Sequence, residues 1–354
     1  MNDNDPNNRQ KHVRRPHYKG AYPRAFIEKY KELDPAKYGD TVAKVISKGS
    51  TPAGAHISIM VTELMDFLRI QPGQVGLDVT LGYGGHSKEM LKRLEGRGHL
   101  YALDVDTIEM EKTGKRLADL GYGPEILTIR HLNFADADEL TREAGHFDFV
   151  MADLGVSSMQ IDNPDRGFSY KTDGPLDLRM DSVRGVPASE RLKELTKAEI
   201  AGMLTENADE PYAAEIAAAI TARLRKSGGI ETTTALREVI EEALSFLPAS
   251  EREETIKKTC QRTFQALRID VNSEFEALES FLDKLPGIMA PGGRAAILTF
   301  HSGEDRLVKK AFKEGLRTGV YSEISKDVIR PSAEECRGNG RARSTKMRWA
   351  VRAE

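Results

Sequence analysis

Val75-Gly-Leu-Asp-Val-Thr-Leu-Gly-Tyr-Gly-Gly-His86 decides the fold. Residues 75–80 predict a short buried strand, and Gly82, Gly84 and Gly85 predict a tight loop behind it. A helix follows, with Met90, Leu91 and Leu94 as its apolar residues. Glycine in such a turn lets the backbone take positive φ and approach a ligand closely. Further on, Gly98-His-Leu-Tyr-Ala-Leu-Asp104 predicts a second strand that ends in an acid. An open α/β sheet holds a nucleoside in this way, with the loop on one part and the carboxylate on the ribose hydroxyls.

The loop is not G-x-G-x-x-G, so it lacks the spacing that gives a pyrophosphate its close approach. Asp78, placed before the loop, suits a ligand with a positive amine better than a diphosphate. S-adenosylmethionine has the matching parts: adenosine for Asp104, and an amino-acid end with a sulfonium for the region near Asp78. The bland alternative is a glycine turn that only packs helix on strand.

Outward from this stretch, the pattern is β-α-β-α-β-α-β. A charged helix is predicted over 107–119, stopped by Gly121 and Gly123. A third strand is predicted over 126–130 with Phe134 beyond its tip, and a fourth over 146–153. Strand four breaks into Asp153-Leu-Gly-Val-Ser-Ser-Met-Gln160, at the end of the sheet where ligands sit. Residues 161–181 are rich in Asp, Gly, Pro and Arg, but Phe168, Tyr170, Leu176 and Met180 argue for an ordered lid or binding loop. From 187 to 267 the pattern is helical: Ala213, Ile216, Ala217, Ile220 and Leu224 share one face, and another helix is expected over 235–247. A helix over 271–285, the loop Ala290-Pro-Gly-Gly293 and a fifth strand over 293–300 restore the alternation, and two last strands near 320–324 and 346–351 complete seven. The domains expected are a basic extension (1–50), a discontinuous α/β domain (51–160 and 268–354), and an inserted loop and helical unit (161–267) for substrate recognition. In residues 1–50, short helical pieces are expected over 25–33 and 36–47. Residues 56–69 predict an amphipathic helix leading into the sheet.

The chain has 354 residues, long enough for a core domain plus an insertion. Two cysteines, Cys260 and Cys336, make no disulfide framework, which points to a reducing, cytoplasmic setting. No apolar run reaches the roughly 18 residues of a membrane span. Net charge is −3, so global charge does not announce nucleic acid, but its distribution does. Residues Arg9 to Arg24 carry a basic cluster without acids, which suits phosphate or a solvated tail equally. A second acid-free cluster contains Arg341, Arg343, Lys346 and Arg348, interleaved with Met347, Trp349 and Val351 as in a folded strand. These four residues are expected to hold an RNA backbone; the alternative is pairing with acids such as Glu334 and Glu335.

Several stretches now carry a resemblance. Asp78-Val-Thr-Leu-Gly-Tyr-Gly-Gly-His86, Asp153-Leu-Gly-Val-Ser-Ser158, Arg166-Gly-Phe-Ser169, Asp173-Gly-Pro-Leu-Asp-Leu-Arg-Met-Asp181, Arg262-Thr-Phe-Gln-Ala-Leu-Arg-Ile269, Phe300-His-Ser302 and Arg341-Ala-Arg-Ser344 are among them. Through them the chain resembles the bacterial 16S ribosomal RNA cytosine-N4 methyltransferases, the ribosomal RNA small-subunit methyltransferase H family (RsmH, formerly MraW). The resemblance implies a class I S-adenosylmethionine-dependent methyltransferase fold with an inserted helical domain. It implies cofactor contacts at Gly84, Gly85, His86, Asp104, Phe134, Asp153 and Gln160, and 16S ribosomal RNA or the small ribosomal subunit as partner. A homodimer is compatible with it. The chain departs from the family's usual pattern in residues 1–50, in Tyr83 within the loop, in Gly303 where leucine is usual, and in a shorter segment between Leu307 and Arg341. These departures mark a divergent branch or paralogue, in which another RNA cytidine is an alternative target.

Methyl transfer to an amine is an in-line displacement that mainly needs alignment. The usual amino-methyltransferase signature after strand four is replaced by Asp153-Leu-Gly-Val-Ser-Ser158. Asp153 is therefore a candidate either for the methionine end or for the substrate amine. His301 and Ser302, past strand five, are candidates on the substrate side, against a structural role for the histidine. Cys260 and Cys336 do not fit a nucleophile, and no Cys/His cluster has metal-ligand spacing. Arg262, Arg268 and Asn272 either face RNA or tie the insertion to the sheet. A nucleotide-binding oxidoreductase and a non-catalytic RNA-binding assembly protein are the competing classes.

Overall fold

The computed structural model describes residues 58–354. The expectations for residues 1–50, including the Arg9–Arg24 cluster, fall outside the described residues. Helix α1 (Val61–Leu68) leads into β1 (Val75–Asp78), α2 (Gly85–Leu94), β2 (His99–Asp104), α3 (Thr107–Asp119) and β3 (Leu127–His131). A 3₁₀ segment (Phe134–Leu140) and α4 (Thr141–Ala144) connect to β4 (Phe147–Asp153). The order along the sheet is β3-β2-β1-β4-β5-β7-β6, and β1 to β5 pair in parallel. The last strand, β7 (Lys346–Arg352), inserts antiparallel between β5 (Met289–Thr299) and β6 (Tyr321–Ile324).

Alternation along the central strands builds two cores. In β4, Phe149 and Met151 face one layer with Leu64, Leu68, Met90 and Leu94, while Val150 and Ala152 face the other with Leu278, Phe281 and Phe312. Both faces of the parallel sheet are thus covered, which is why β4 reads as a nearly continuous apolar run.

Between β4 and β5 the chain makes α5 (Ser158–Asp162), α6 (Ala188–Glu194), α7 (Lys197–Ala208), α8 (Ala213–Ser227), α9 (Thr233–Ala243), α10 (Ala249–Asn272) and α11 (Glu274–Ile288). Helices α6 to α10 bury a core of their own, with Leu192, Ile200, Ile216, Ile220, Leu236 and Phe264, onto which the loop residues Phe168, Leu176 and Leu178 pack. The last described helices are α12 (Ser302–Arg317) and α13 (Ala333–Gly338). None of the described helices is long and apolar enough to cross a membrane.

Three expectations are corrected here. The boundary at 267/268 falls inside α10, which runs unbroken from the helical core to the sheet. The helix expected to begin at Val271 begins instead at Glu274, because Ser273 takes φ 48 and breaks the axis. Ala290-Pro-Gly-Gly293 is not a loop before β5 but an irregularity within it: the partner register jumps from Phe147↔Met289 to Phe149↔Arg294. Gly292 there has φ 72, a conformation glycine adopts without strain.

Candidate active site

A cavity of about 610 Å³ opens beyond the carboxyl ends of β1, β2 and β4. It is lined by Gly82, Gly84, Gly85, His86, Asp104, Phe134, Asp153 and Gln160, so seven residues expected from the sequence as cofactor contacts share one wall system. Gly82 and Gly84 both have positive φ (47 and 75), and Gly84 caps α2 in that conformation.

Asp104 ends β2 with both carboxylate oxygens engaged by backbone: Gly82 N–H donates to Oδ2 at 2.7 Å and Asp106 N–H to Oδ1 at 2.8 Å. Each oxygen keeps a second lone pair, so the group can still accept from hydroxyls in the cavity. Burial pushes its pKa up to about 6 against the pull of those N–H groups. Phe134 packs edge-on against Phe281 of α11, with centroids 5.6 Å apart. Gln160 is held from two sides: Oε1 accepts from Ser157 N–H at 2.8 Å, and Nε2 donates to Asp106 Oδ2 at 2.8 Å.

His86 donates from Nε2 to Ile59 O at 2.9 Å, and burial lowers its pKa. The imidazole is therefore neutral, with Nδ1 3.6 Å from Asp153 Oδ2. Asp153 is the most unusual group in the cavity. Its Oδ1 is buried without a hydrogen-bond partner, and burial, aided by the charge of Glu304, raises its pKa to about 7. A buried polar atom left unpaired in a cavity wall is a place where a ligand donor fits.

His301 also lines the cavity. It caps α12, its Nδ1 accepting from Glu304 N–H at 3.4 Å, and its Nε2 lies 3.2 Å from Glu304 Oε1 without hydrogen-bond alignment. Burial alone would raise Glu304, but His301 and Arg268 outweigh it and hold the carboxyl below its ordinary range. Glu274, His301 and Glu304 bring ligand-type atoms within 4.8 Å of one another, a grouping that sequence spacing did not reveal. The Arg268 guanidinium already engages both oxygens of Glu274, at 2.7 and 2.8 Å.

The geometry overturns several expectations. Asp78 does not line the cavity: it is fully buried, accepting from Ser87 Oγ at 2.6 Å and Thr80 N–H at 3.1 Å. It braces the glycine loop from beneath instead of meeting a ligand amine. Ser302 starts α12 outside the cavity, on the far side of His301. Lys346 and Arg348 do not project as free cations: both pair with Asp305, at 3.3 and 2.7 Å, and Arg348 is buried. The expected alternative partners, Glu334 and Glu335, are not the ones used. Arg341 reaches Asp162 at 3.3 Å and lines the cavity, while Arg343 is exposed. Arg268 and Asn272 tie segments together: Asn272 accepts from Met180 N–H at 2.7 Å and donates to Leu178 O at 2.8 Å.

The inserted loop was expected to serve substrate alone. Its residues Arg179, Met180, Asp181 and Arg184 line the same cavity as Asp104. Arg166 explains how: its Nη1 meets Asp106 Oδ2 at 2.5 Å, and its Nη2 donates to Arg179 O and Met180 O at 3.1 and 2.8 Å. The motif was visible in the sequence, but no local rule pairs Arg166 with Asp106.

These pairings divide the basic cluster. Arg348→Gln is expected to lower stability by about 1–3 kcal/mol in urea unfolding, because it strips a partly buried Asp305 of its main partner. Arg341→Gln with Arg343→Gln should leave the unfolding midpoint nearly unchanged and flatten the salt dependence of binding to the RNA that the sequence resemblance implies. Loss of stability in the double variant with an unaltered salt slope would reverse that assignment.

A family model described as the MraW methylase family matches residues 53–353. The chain is 65% identical over 345 residues to a protein of Agathobacter rectalis named ribosomal RNA small subunit methyltransferase H 1, covering 98% of this chain and 99% of that protein. It is 60% identical over 347 residues to ribosomal RNA small subunit methyltransferase H 2 of Alkaliphilus metalliredigens, with coverage of 98% and 99%. To the ribosomal RNA small subunit methyltransferase H of Koribacter versatilis it is 38% identical over 302 residues, covering 84% of this chain and 94% of that protein. The first two matches leave so little of the chain out that most of residues 1–50 are shared with those relatives.

Proposed function

Because the chain belongs to the MraW methylase family, we propose that it methylates the exocyclic N4 amine of a cytidine in small-subunit (16S) ribosomal RNA. S-adenosylmethionine, when bound, supplies an electrophilic methyl group on a sulfonium. The chain's residues fit that cofactor: Asp104 offers free lone pairs to ribose hydroxyls, Phe134 an apolar face, and the glycine loop a close backbone approach. The orphaned Asp153 Oδ1 carries the reading.

Cytosine N4 is a weak nucleophile because its lone pair is conjugated into the ring. An acceptor on one amine hydrogen localises that pair, and the same acceptor can take the proton the nitrogen must shed. A carboxyl with pKa about 7 is matched to this task at neutral pH. Burial disfavours the charged form of His86 beside it, so no imidazolium pulls the Asp153 pKa back down and weakens it as a base. The loop residues Arg179, Met180, Asp181 and Arg184 form part of the cavity wall, where they would limit water at the amine.

Asp104→Ala is expected to weaken S-adenosylmethionine binding by roughly 1.5–3 kcal/mol, the loss of charge-assisted hydrogen bonds to the ribose. An unchanged dissociation constant by calorimetry in a folded variant would reject that contact. The function itself is tested by mass-spectrometric mapping of modified cytidines in small-subunit RNA from a deletion strain. One N4-methyl mark should vanish, then return with the wild-type gene but not with Asp153→Asn. An unaltered modification map would sink the proposal.

A further inference from the structure

A second cavity, of about 490 Å³, lies on the other side of His301. His301 and Gln265 line both cavities, so these two side chains form shared walls between them. Its aromatic wall is Phe275, half-buried, with its ring centroid 5.7 Å from that of His301. Gly303 makes room for this ring: a Cβ there would stand 2.5 Å from Phe275 Cζ and 3.1 Å from Cε1, so any larger residue must displace it. Arg306 and Arg262 also line the cavity. Arg306 is exposed and has no ion-pair partner among the described residues, and Arg262 approaches Glu210 only to 3.8 Å.

We propose that this second cavity holds the base of a nucleotide neighbouring the target cytidine, stacked on Phe275 with its phosphate at Arg306. The inference rests on the RNA-methyltransferase reading above and deepens it. The volume suits a single nucleotide, within the range of small-ligand sites. Single-stranded RNA is gripped by splaying its bases onto aromatic side chains, with arginine on the backbone. The carboxylates of Glu206, Asp209 and Glu279 on the same lining oppose phosphate but accept hydrogen bonds from base amines, as carboxylates do from cytosine N4. The pocket therefore favours an amine-bearing base over uracil. A base seated here and a target base in the first cavity would lie on either side of His301, which then spaces them.

The test compares an aromatic with an apolar side chain of similar bulk, using small ribosomal subunits from a deletion strain as substrate. Phe275→Leu should raise KM for subunits roughly 5- to 100-fold, the effect of one lost stack. kcat and S-adenosylhomocysteine affinity should stay within about twofold, and Phe275→Tyr should restore KM. Arg306→Gln, at an exposed position, should raise KM and reduce its salt dependence. Wild-type KM in Phe275→Leu, or equal loss in the Leu and Tyr variants, overturns the subsite while leaving methyl transfer standing. Wild-type protein that transfers no methyl group to subunits overturns the functional reading and this subsite with it.

Discussion

Asp153→Asn is expected to cut methyl transfer by roughly 10²–10³-fold, because it removes the proposed acceptor and base while keeping the side chain's shape. The wild-type rate should rise with pH through about 7 and level off above it, since only the ionised carboxylate accepts the amine proton. The variant's residual rate should be flat over that range. The same group makes a stability prediction of defined sign. Its pKa in the folded chain, about 7, lies above the ordinary 3.8, so the folded state holds the proton more tightly. Its stabilising contribution is complete below the ordinary value and is lost as pH rises through about 7. Asp104, raised to about 6, acts in the same direction. Cofactor-free Asp153→Asn should therefore unfold later than wild type near pH 8, by about 2–4 kcal/mol, with the gap closing toward acid. A wild-type rate independent of pH, or a stability gap between variant and wild type no larger at pH 8 than at pH 5, would count against a buried, proton-sharing Asp153.

The glycine-loop wall of this cavity was legible because its signals are local. A glycine loop and an acid at the next strand tip are set by strand-turn-helix chemistry, and Gly84, Gly85 and Asp104 stand where that chemistry puts them. The strands β4 and most of β5 were legible as apolar runs for the same reason. Asp78 was misread because position before a glycine loop says nothing of which way a carboxylate turns; Ser87, in the first turn of α2, captured it. The basic C-terminal cluster was misread because charge was counted along the chain alone. Asp305, on helix α12, neutralises Lys346 and Arg348 only once strand β7 lies beside β5. The grouping of Glu274, His301 and Glu304 was invisible in the same way, being assembled from two helices. The boundary at 268 failed because α10 continues to Asn272 with Val271 still packed on the helical core, so nothing in the helix marks a change of unit there.

Arg166→Met is expected to destabilise the protein by about 3–5 kcal/mol and to weaken cofactor binding, although Arg166 lies in the inserted loop. The guanidinium is buried, and so is its partner Asp106. Asp106 stands two residues past Asp104 and also holds Gln160, while its Oδ1 caps α3 through Ile108 N–H and Glu109 N–H. Removing Arg166 leaves that carboxylate without its cation and leaves the carbonyls of Arg179 and Met180 without their donor. The loop there is already under constraint: Leu178 is buried with φ 64, a costly conformation for a residue with a Cβ, kept by Asn272 from one side and Arg166 O from the other. Without Arg166 the loop loses one of the anchors that hold it in place, and Asp104 loses the packed neighbour that fixes its backbone donor. Arg166→Lys keeps the charge but cannot span Asp106 and two carbonyls at once, so it should fall between Met and wild type. Urea unfolding and calorimetric titration with S-adenosylhomocysteine read the two effects separately. If the insertion served substrate alone, Arg166→Met would leave cofactor affinity unchanged in a folded protein; the hydrogen bonds through Asp106 require it to fall.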